Sequence, residues 1–325
     1  MMTPDMWKTA IALARACSGF LSALACFSFL IYVIVVFRRR FFKLPSVRFL
    51  SYLQTFLLFA SLNHLLTLYT AYKTDQDWVC IFQAVCNQFF SVGFFIWSVV
   101  IAIFLFSSIV LRKLTRKKSV LLFEGCSITI VFLVSGLLTG LPFIGSTYGN
   151  SGKWCWIDQN KPMGVTWTYG AFYGPLWISI ILVLVLYMIV LAKVCRNFGK
   201  VGMSTIGDDD HRKGKRIKAY SKLMGYPIMM VLIYIIPTFH RISNFFITDT
   251  DYSNYMSLIH TIISPLVGFF NVLIYFSNPI EGKNIALSCV QCWKNCCQKN
   301  HHDRNNHEDW DYYQASMKPI GILDD

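Results

Sequence analysis

The segment Trp78–Leu111, WVCIFQAVCNQFFSVGFFIWSVVIAIFLFSSIVL, runs for 34 residues without an Asp, Glu, Lys or Arg. A helix needs about 20 largely apolar residues to cross a bilayer, where no water is available to solvate charge or free backbone groups. The segment therefore reads as a membrane span, with Asp75 and Asp77 before it and Arg112-Lys113 after it. Six further charge-free runs repeat the pattern: Ala16–Phe37, Phe49–Tyr72, Gly125–Gly152, Pro162–Ala192, Leu223–His240 and Tyr252–Ile280. Leu223–His240 is the shortest and crosses only by continuing past Arg241 to about Phe246. Composition agrees: 55% of the 325 residues are hydrophobic and 14% charged, against roughly 25% charged in a soluble domain. The expected fold is an all-α membrane protein, a seven-transmembrane-helix bundle.

Orientation follows from the placement of Lys and Arg, which concentrate on the cytoplasmic side. Clusters follow the first span (Arg38, Arg39, Arg40, Lys43, Arg48) and the third (Arg112, Lys113, Arg116, Lys117, Lys118). The loop between spans five and six adds nine more, among them Arg216, Lys218 and Lys222, and the tail five. The opposite side carries four: Lys8, Lys73, Lys153 and Lys161. The N-terminus is thus expected outside and the C-terminus in the cytoplasm. This gives a short extracellular N-terminus at 1–9, a transmembrane domain at 10–280 and a cytoplasmic tail at 281–325. The tail is expected to open in a short membrane-surface helix and continue disordered, and it is too short for an independent catalytic domain. The first run is too long for a signal-peptide core and is followed by Arg38–Arg40, so it is expected to remain as a span. The net charge of +13 is a property of these loops and of their contact with anionic lipid, not of nucleic-acid binding.

The eleven cysteines sort by location. Only Cys80, opening span three, and Cys155, in the loop between spans four and five, fall at the oxidising outer surface. They would either pair across the mouth of the bundle or stay as free thiols. Cys289, Cys292, Cys296 and Cys297 follow span seven beside basic residues. They read as S-palmitoylation sites, with unmodified thiols or a zinc-like set completed by His301 and His302 as alternatives.

Ionisable residues inside a bilayer usually mark function, so their scarcity excludes several machines. Span seven has no lysine for a retinal Schiff base, and the spans hold no aspartate pair for an intramembrane protease. Metal and cofactor motifs are likewise missing from the sequence, and no enzyme activity is expected. The acid nearest the hydrocarbon, Glu124, sits at the start of span four, where a helix N-terminus would favour an anion. Prolines instead suggest a bundle that changes shape: Gly174-Pro175 in span five, Gly225-x-Pro227 and Pro237 in span six, Ser264-Pro265 in span seven. Such prolines free backbone carbonyls and act either as hinges or as static kinks. In the outer half, Arg241 lies beside His240 and Asn244, with Arg15 about one turn into span one and Lys153 in the second outer loop. Arginine pairs bidentately with carboxylate or phosphate, so this set would hold an anion; snorkelling, or pairing with Asp249 or Asp251, is the other reading. Trp154, Trp156, Trp167, Tyr169 and Tyr173 would stack on a ligand or form an interfacial belt.

At these positions the chain resembles the cyclic-AMP-receptor-like G-protein-coupled receptors, known from slime moulds with plant and animal relatives. The resemblance is carried by Trp154-Cys155-Trp156-Ile157, Phe172-Tyr173-Gly174-Pro175 and Arg241-Ile242-x-Asn244. Phe270-Asn271 with Tyr275 and Asn278-Pro279 in span seven, and Phe95-x-Trp97-Ser98 in span three, add to it. It departs at His240, where those relatives carry Asn. The resemblance implies a Cys80–Cys155 bridge and a receptor for a small extracellular ligand, a cyclic nucleotide or another anion. It further implies coupling to a heterotrimeric G protein through cytoplasmic residues such as Arg112, Lys113, Arg216, Lys218 and Lys222. The ligand set would be Arg241, Asn244, His240, Trp156, Tyr173 and Lys153. The plasma membrane is the expected location, and a homodimer is compatible. The alternatives at this stage are a small-molecule transporter or channel, and a ligand-independent scaffold.

Overall fold

The computed structural model describes residues 3–36, 45–71, 78–114, 116–151, 153–199, 225–243, 246 and 250–277. The main helices are α1 (Pro4–Val36), α2 (Pro45–Leu65), α3 (Trp78–Ile109), α4 (Lys117–Gly140), α5 (Gly174–Gly199) and α6 (Gly225–Ser243). The last span is split into α7 (Thr250–Ile263) and α8 (Val267–Phe276) by a 3-10 turn at Ser264–Leu266. Among the described residues, six helical segments are long and apolar enough to cross a membrane, and Met229–Ser243 in α6 adds a shorter apolar helix. The chain is a multi-pass integral membrane protein. α3 is its central post, packed against α2, α4 and α5 and against both strands of a small hairpin.

That hairpin, β1 (Tyr148–Asn150) and β2 (Cys155–Ile157), lies where the fourth charge-free run had suggested only helix and loop. It pairs antiparallel, with Gly149 opposite Trp156, and all of β2 is buried. Cys155 is bonded to Cys80 at the start of α3, so one end of the bundle is capped by the hairpin. The loop leaving β2 turns back tightly: a Cβ on Gly164 would collide with the Asp158 carbonyl oxygen, so only glycine fits there.

Two charges sit differently from the sequence reading. Arg48, counted above among loop residues, lies inside α2, and Glu124 lies two turns into α4 rather than at its N-terminus. They form a buried pair, their side chains 9% and 8% exposed, with Arg48 Nη2 2.6 Å from Glu124 Oε2. Arg48 Nε donates to Oε1 at 2.9 Å, and Tyr52 donates its hydroxyl to the same oxygen at 2.7 Å. A fork-on-fork pair of this kind is compatible with burial because each charge satisfies the other. Arg15 also moves: α1 begins at Pro4, so Arg15 lies about three turns into the helix, and it is buried.

The prolines are answered by neighbours. Pro175 has no N–H for the carbonyl of Ala171, four residues earlier, and lies just after a π-helical turn at Thr168–Tyr173. Gln88 of α3 donates its Nε2 to that carbonyl at 2.9 Å. Pro265 likewise leaves the Thr261 carbonyl without its helical donor, and Ser18 of α1 donates to it at 3.1 Å. Both kinks are therefore tied to adjacent helices. Pro237 lies inside α6. Gly225 and Pro227 open α6 as described, and their side chains lie outside the described residues.

Two stability outcomes follow. Glu124→Gln strands the Arg48 charge in an apolar setting and should cost about 3–5 kcal/mol, whereas Arg48→Met/Glu124→Met should recover most of that loss. Thermal unfolding of purified protein in nanodiscs checks this, and a double variant no better than the single one rejects the pairing as the cause. Gln88→Leu leaves two buried polar groups unpaired and should cost about 2–4 kcal/mol. An unchanged melting temperature would show that the Ala171 carbonyl does not depend on Gln88.

Candidate functional site

The capped end of the bundle encloses a cavity of about 50 Å³, room for a few water molecules. Its upper tier is lined by one cation, Arg15, with Arg241 beyond it across the Trp154 indole. Arg15 of α1 donates from Nε to His64 Nδ1 at 3.1 Å and from Nη2 to Asn87 Oδ1 at 3.4 Å. Its guanidinium carbon lies 5.0 Å from the centre of the Trp154 indole. Arg241 of α6 lies 5.6 Å from the same indole and 5.3 Å from Trp156. Two guanidiniums thus share one indole, which spreads their charge over a polarisable face. Arg241 Nε is buried and has no hydrogen-bond partner among the described residues. No carboxylate lines the cavity among the described residues.

A polar relay runs beside this pair. Lys153 Nζ donates to Ser257 Oγ at 2.6 Å and to the Ser253 carbonyl at 2.8 Å. Ser257 Oγ is 3.2 Å from His240 Nε2, and His240 Nδ1 is 3.2 Å from His260 Nδ1. Burial, and then the Arg241 charge, pull the Lys153 ammonium down to about 8. A group so placed keeps its proton more firmly once an anion arrives.

The walls are set by the hairpin. Trp156 donates from Nε1 to Gln88 Oε1 at 3.1 Å, the same Gln88 that holds the Ala171 carbonyl. Trp156 meets Phe172 edge-on at 4.9 Å, and Tyr173 lies 6.3 Å away. Trp154 meets His260 edge-on at 5.3 Å. Of the residues expected from sequence, the fold brings together Arg241, His240, Trp156, Tyr173 and Lys153. Asn244 lies outside the described residues, as do Arg216, Lys218, Lys222, Cys289, Cys292, Cys296 and Cys297. Arg112 and Lys113 follow α3 at the opposite end, both exposed, with Arg112 in the left-handed region at φ 54°. His64, Asn87, Gln88 and His260 were not anticipated. They are uncharged polar residues inside apolar runs, and a search for charge passes over them.

Comparison with known proteins places this geometry. The family model described as "Slime mold cyclic AMP receptor" matches residues 8–312. G-protein coupled receptor 1 of Arabidopsis thaliana is 26% identical over 63% of this chain and 61% of its own length. Cyclic AMP receptor 4 of Dictyostelium discoideum is 25% identical over 62% of this chain and 42% of its own. Cyclic AMP receptor 2 of the same organism is 22% identical over 66% of this chain and 52% of its own. The matched region thus spans about two-fifths to three-fifths of these curated relatives. The crystal structure of squid rhodopsin superposes with a TM-score of 0.64 at 12% identity, covering 99% of this chain and 94% of that one, a likeness of fold. With nearly all of its length matched by one family model, the chain belongs to the slime mold cyclic AMP receptor family.

Proposed function

We propose that this protein is a G-protein-coupled receptor of the plasma membrane, N-terminus outside, that senses a small extracellular anion in the capped cavity. The observation that carries this reading is that Arg15 lines the cavity with Arg241 beyond it on the same Trp154 indole and Lys153 nearby, while no carboxylate lines the cavity among the described residues. Buried cations with no carboxylate beside them favour an anionic ligand. In this reading the domains are a short extracellular N-terminus, a transmembrane receptor domain to residue 280 and a cytoplasmic tail. Arg112 and Lys113, with Arg216, Lys218 and Lys222, face the heterotrimeric G protein, and palmitoyl groups on Cys289, Cys292, Cys296 and Cys297 hold the tail to the bilayer. Cyclic AMP, the ligand in the names of the Dictyostelium relatives, is the first probe.

Signalling would work by differential affinity. A ligand that draws Arg241 and the hairpin together favours one packing of α5 and α6 over another, and only that difference can shift the balance. Moving a mostly closed bundle to a mostly open one takes several kcal/mol. The present cavity is smaller than the usual ligand site of about 300 Å³ or more, so binding must enlarge it. Outward movement of α6 at Gly225 and Pro227 would open the cytoplasmic side.

In cells carrying a panel of Gα subunits, the receptor should raise nucleotide exchange on at least one of them above mock-transfected cells. Arg216→Glu/Lys218→Glu/Lys222→Glu should abolish this at equal surface expression. Exchange on no subunit would return the weight to a transporter or scaffold. If extracellular cyclic AMP raises exchange, Arg241→Ala should shift its half-maximal concentration by about tenfold or more. Coupling without a cyclic AMP response keeps the receptor and removes that ligand.

Anion binding should also depend on pH. An anion raises the Lys153 pKa above its free value of about 8, so affinity is full below that pH and falls as pH rises through it. Thermal stabilisation by sulfate, whose charge is constant in this range, should be weaker at about pH 9.5 than at pH 7, by roughly 3- to 10-fold in apparent affinity. Lys153→Met should flatten the profile; an equal slope in that variant assigns the proton elsewhere.

A further inference from the structure

The cavity is polar at one end only, and its depth can be read from helix geometry. Along α2 its lining runs from His64 to Leu57, and along α3 from Asn87 to Phe94. Each is a step of two helical turns, about 10 Å. The levels are fixed by cross-contacts. Arg15 bonds both His64 and Asn87 at the top. At the bottom Phe94 stacks on Tyr234 at 6.2 Å, and a Cβ on Gly268 would lie 3.5 Å from Leu57 Cβ. The middle level is mixed, with Phe90, Pro237 and the hydroxyls of Ser91 and Ser264. The floor is Leu57, Phe94, Val267 and the ring of Tyr234.

We infer that the ligand is an amphipathic monoanion: a carboxylate or similar acid joined to a slender alkyl or aryl body that ends on this apolar floor. The inference rests on the anion-receptor reading above and deepens it by naming the chemistry of the far end. The acid sits on Arg15 beside Trp154, with Arg241 behind that indole, and the body passes the middle level to pack on Leu57 and Phe94. A purine at that depth would press most of its hydrogen-bonding edge against Leu57, Phe94 and Val267, with the Tyr234 hydroxyl as the one polar group at that level among the described residues.

The test uses full-length receptor in nanodiscs, with thermal unfolding read at graded concentrations of four probes: 4-phenylbutyrate, 4-phenylbutanol, butyrate and cyclic AMP. 4-Phenylbutyrate should stabilise the protein at concentrations at least tenfold lower than any of the other three. Arg241→Leu should weaken it about tenfold or more, and Leu57→Asn, which puts an amide on the floor, should do the same while leaving butyrate unchanged. Stabilisation by cyclic AMP but not by 4-phenylbutyrate overturns the inference and leaves the anion site standing. Equal action of 4-phenylbutyrate and butyrate also overturns it, since the floor then contributes nothing. Stabilisation by 4-phenylbutanol as strong as by the acid, or by no probe, overturns the anion reading together with the inference.

Discussion

The bond between Cys80 and Cys155 fixes β2 against the top of α3, and the rest of the candidate site is hung from that point. With Cys155 held, Trp154 and Trp156 on either side of it are directed into the bundle, where they meet Arg15 and Arg241. Gln88, two turns down α3, then fastens Trp156 from below. The segment carrying Cys155, free in the unfolded chain, would sample many positions; closing a 75-residue separation removes that freedom and is worth roughly 4 kcal/mol in the usual accounting. The tether stabilises the loop and also creates the site, because neither arginine would share an indole without it.

Gln88 illustrates how polar groups are used in this bundle. One amide meets two demands: the carbonyl that Pro175 cannot serve and the indole N–H that a buried tryptophan must place. Arg48, Tyr52 and Glu124 do the same at the other end, where three helical side chains close on one another. In a medium without water the alternatives are pairing or exclusion, and these groups are paired.

The same logic explains what could be read before the structure. The spans were legible because charge is expensive in hydrocarbon, so the gaps between charges trace the crossings. Their ends were not, because a charge that finds a partner is no longer expensive: Arg48 and Glu124 lie inside helices that the charge scan cut short, and Arg15 lies three turns inside α1. The hairpin was hidden because β1 lies at the end of the charge-free run Gly125–Gly152 and β2 in the short loop after it, and hydropathy does not distinguish buried strand from helix or loop. Of the site, Arg241, Lys153 and the Trp-Cys-Trp segment stood out by charge and rarity. His64, Asn87, Gln88 and His260 did not, although four strong hydrogen-bonding side chains in apolar runs are themselves costly. Their depth along α2, α3 and α7, counted from the same ends of those helices, would have placed them near one end of the bundle.

The cross-helix hydrogen bonds also divide the bundle into parts of unequal rigidity. α1 is joined to α2 through Arg15–His64 and Ser61–Ser22, and to α7 through Ser18–Thr261. α2 is joined to α3 by Asn63–Gln83 and to α4 by Arg48–Glu124. Among the described residues, the polar ties of α6 to its neighbours gather at its disulfide end, around His240. Below that level its described contacts are between apolar and aromatic surfaces, such as Tyr234 on Phe94 and Phe95, which slide at little cost in directional bonding. Directional bonds thus join α1–α4 and α7 into one block, while those of α6 to its neighbours concentrate at its His240 end among the described residues. A shift of α6 against that block would break fewest directional bonds if its His240 end stayed in place.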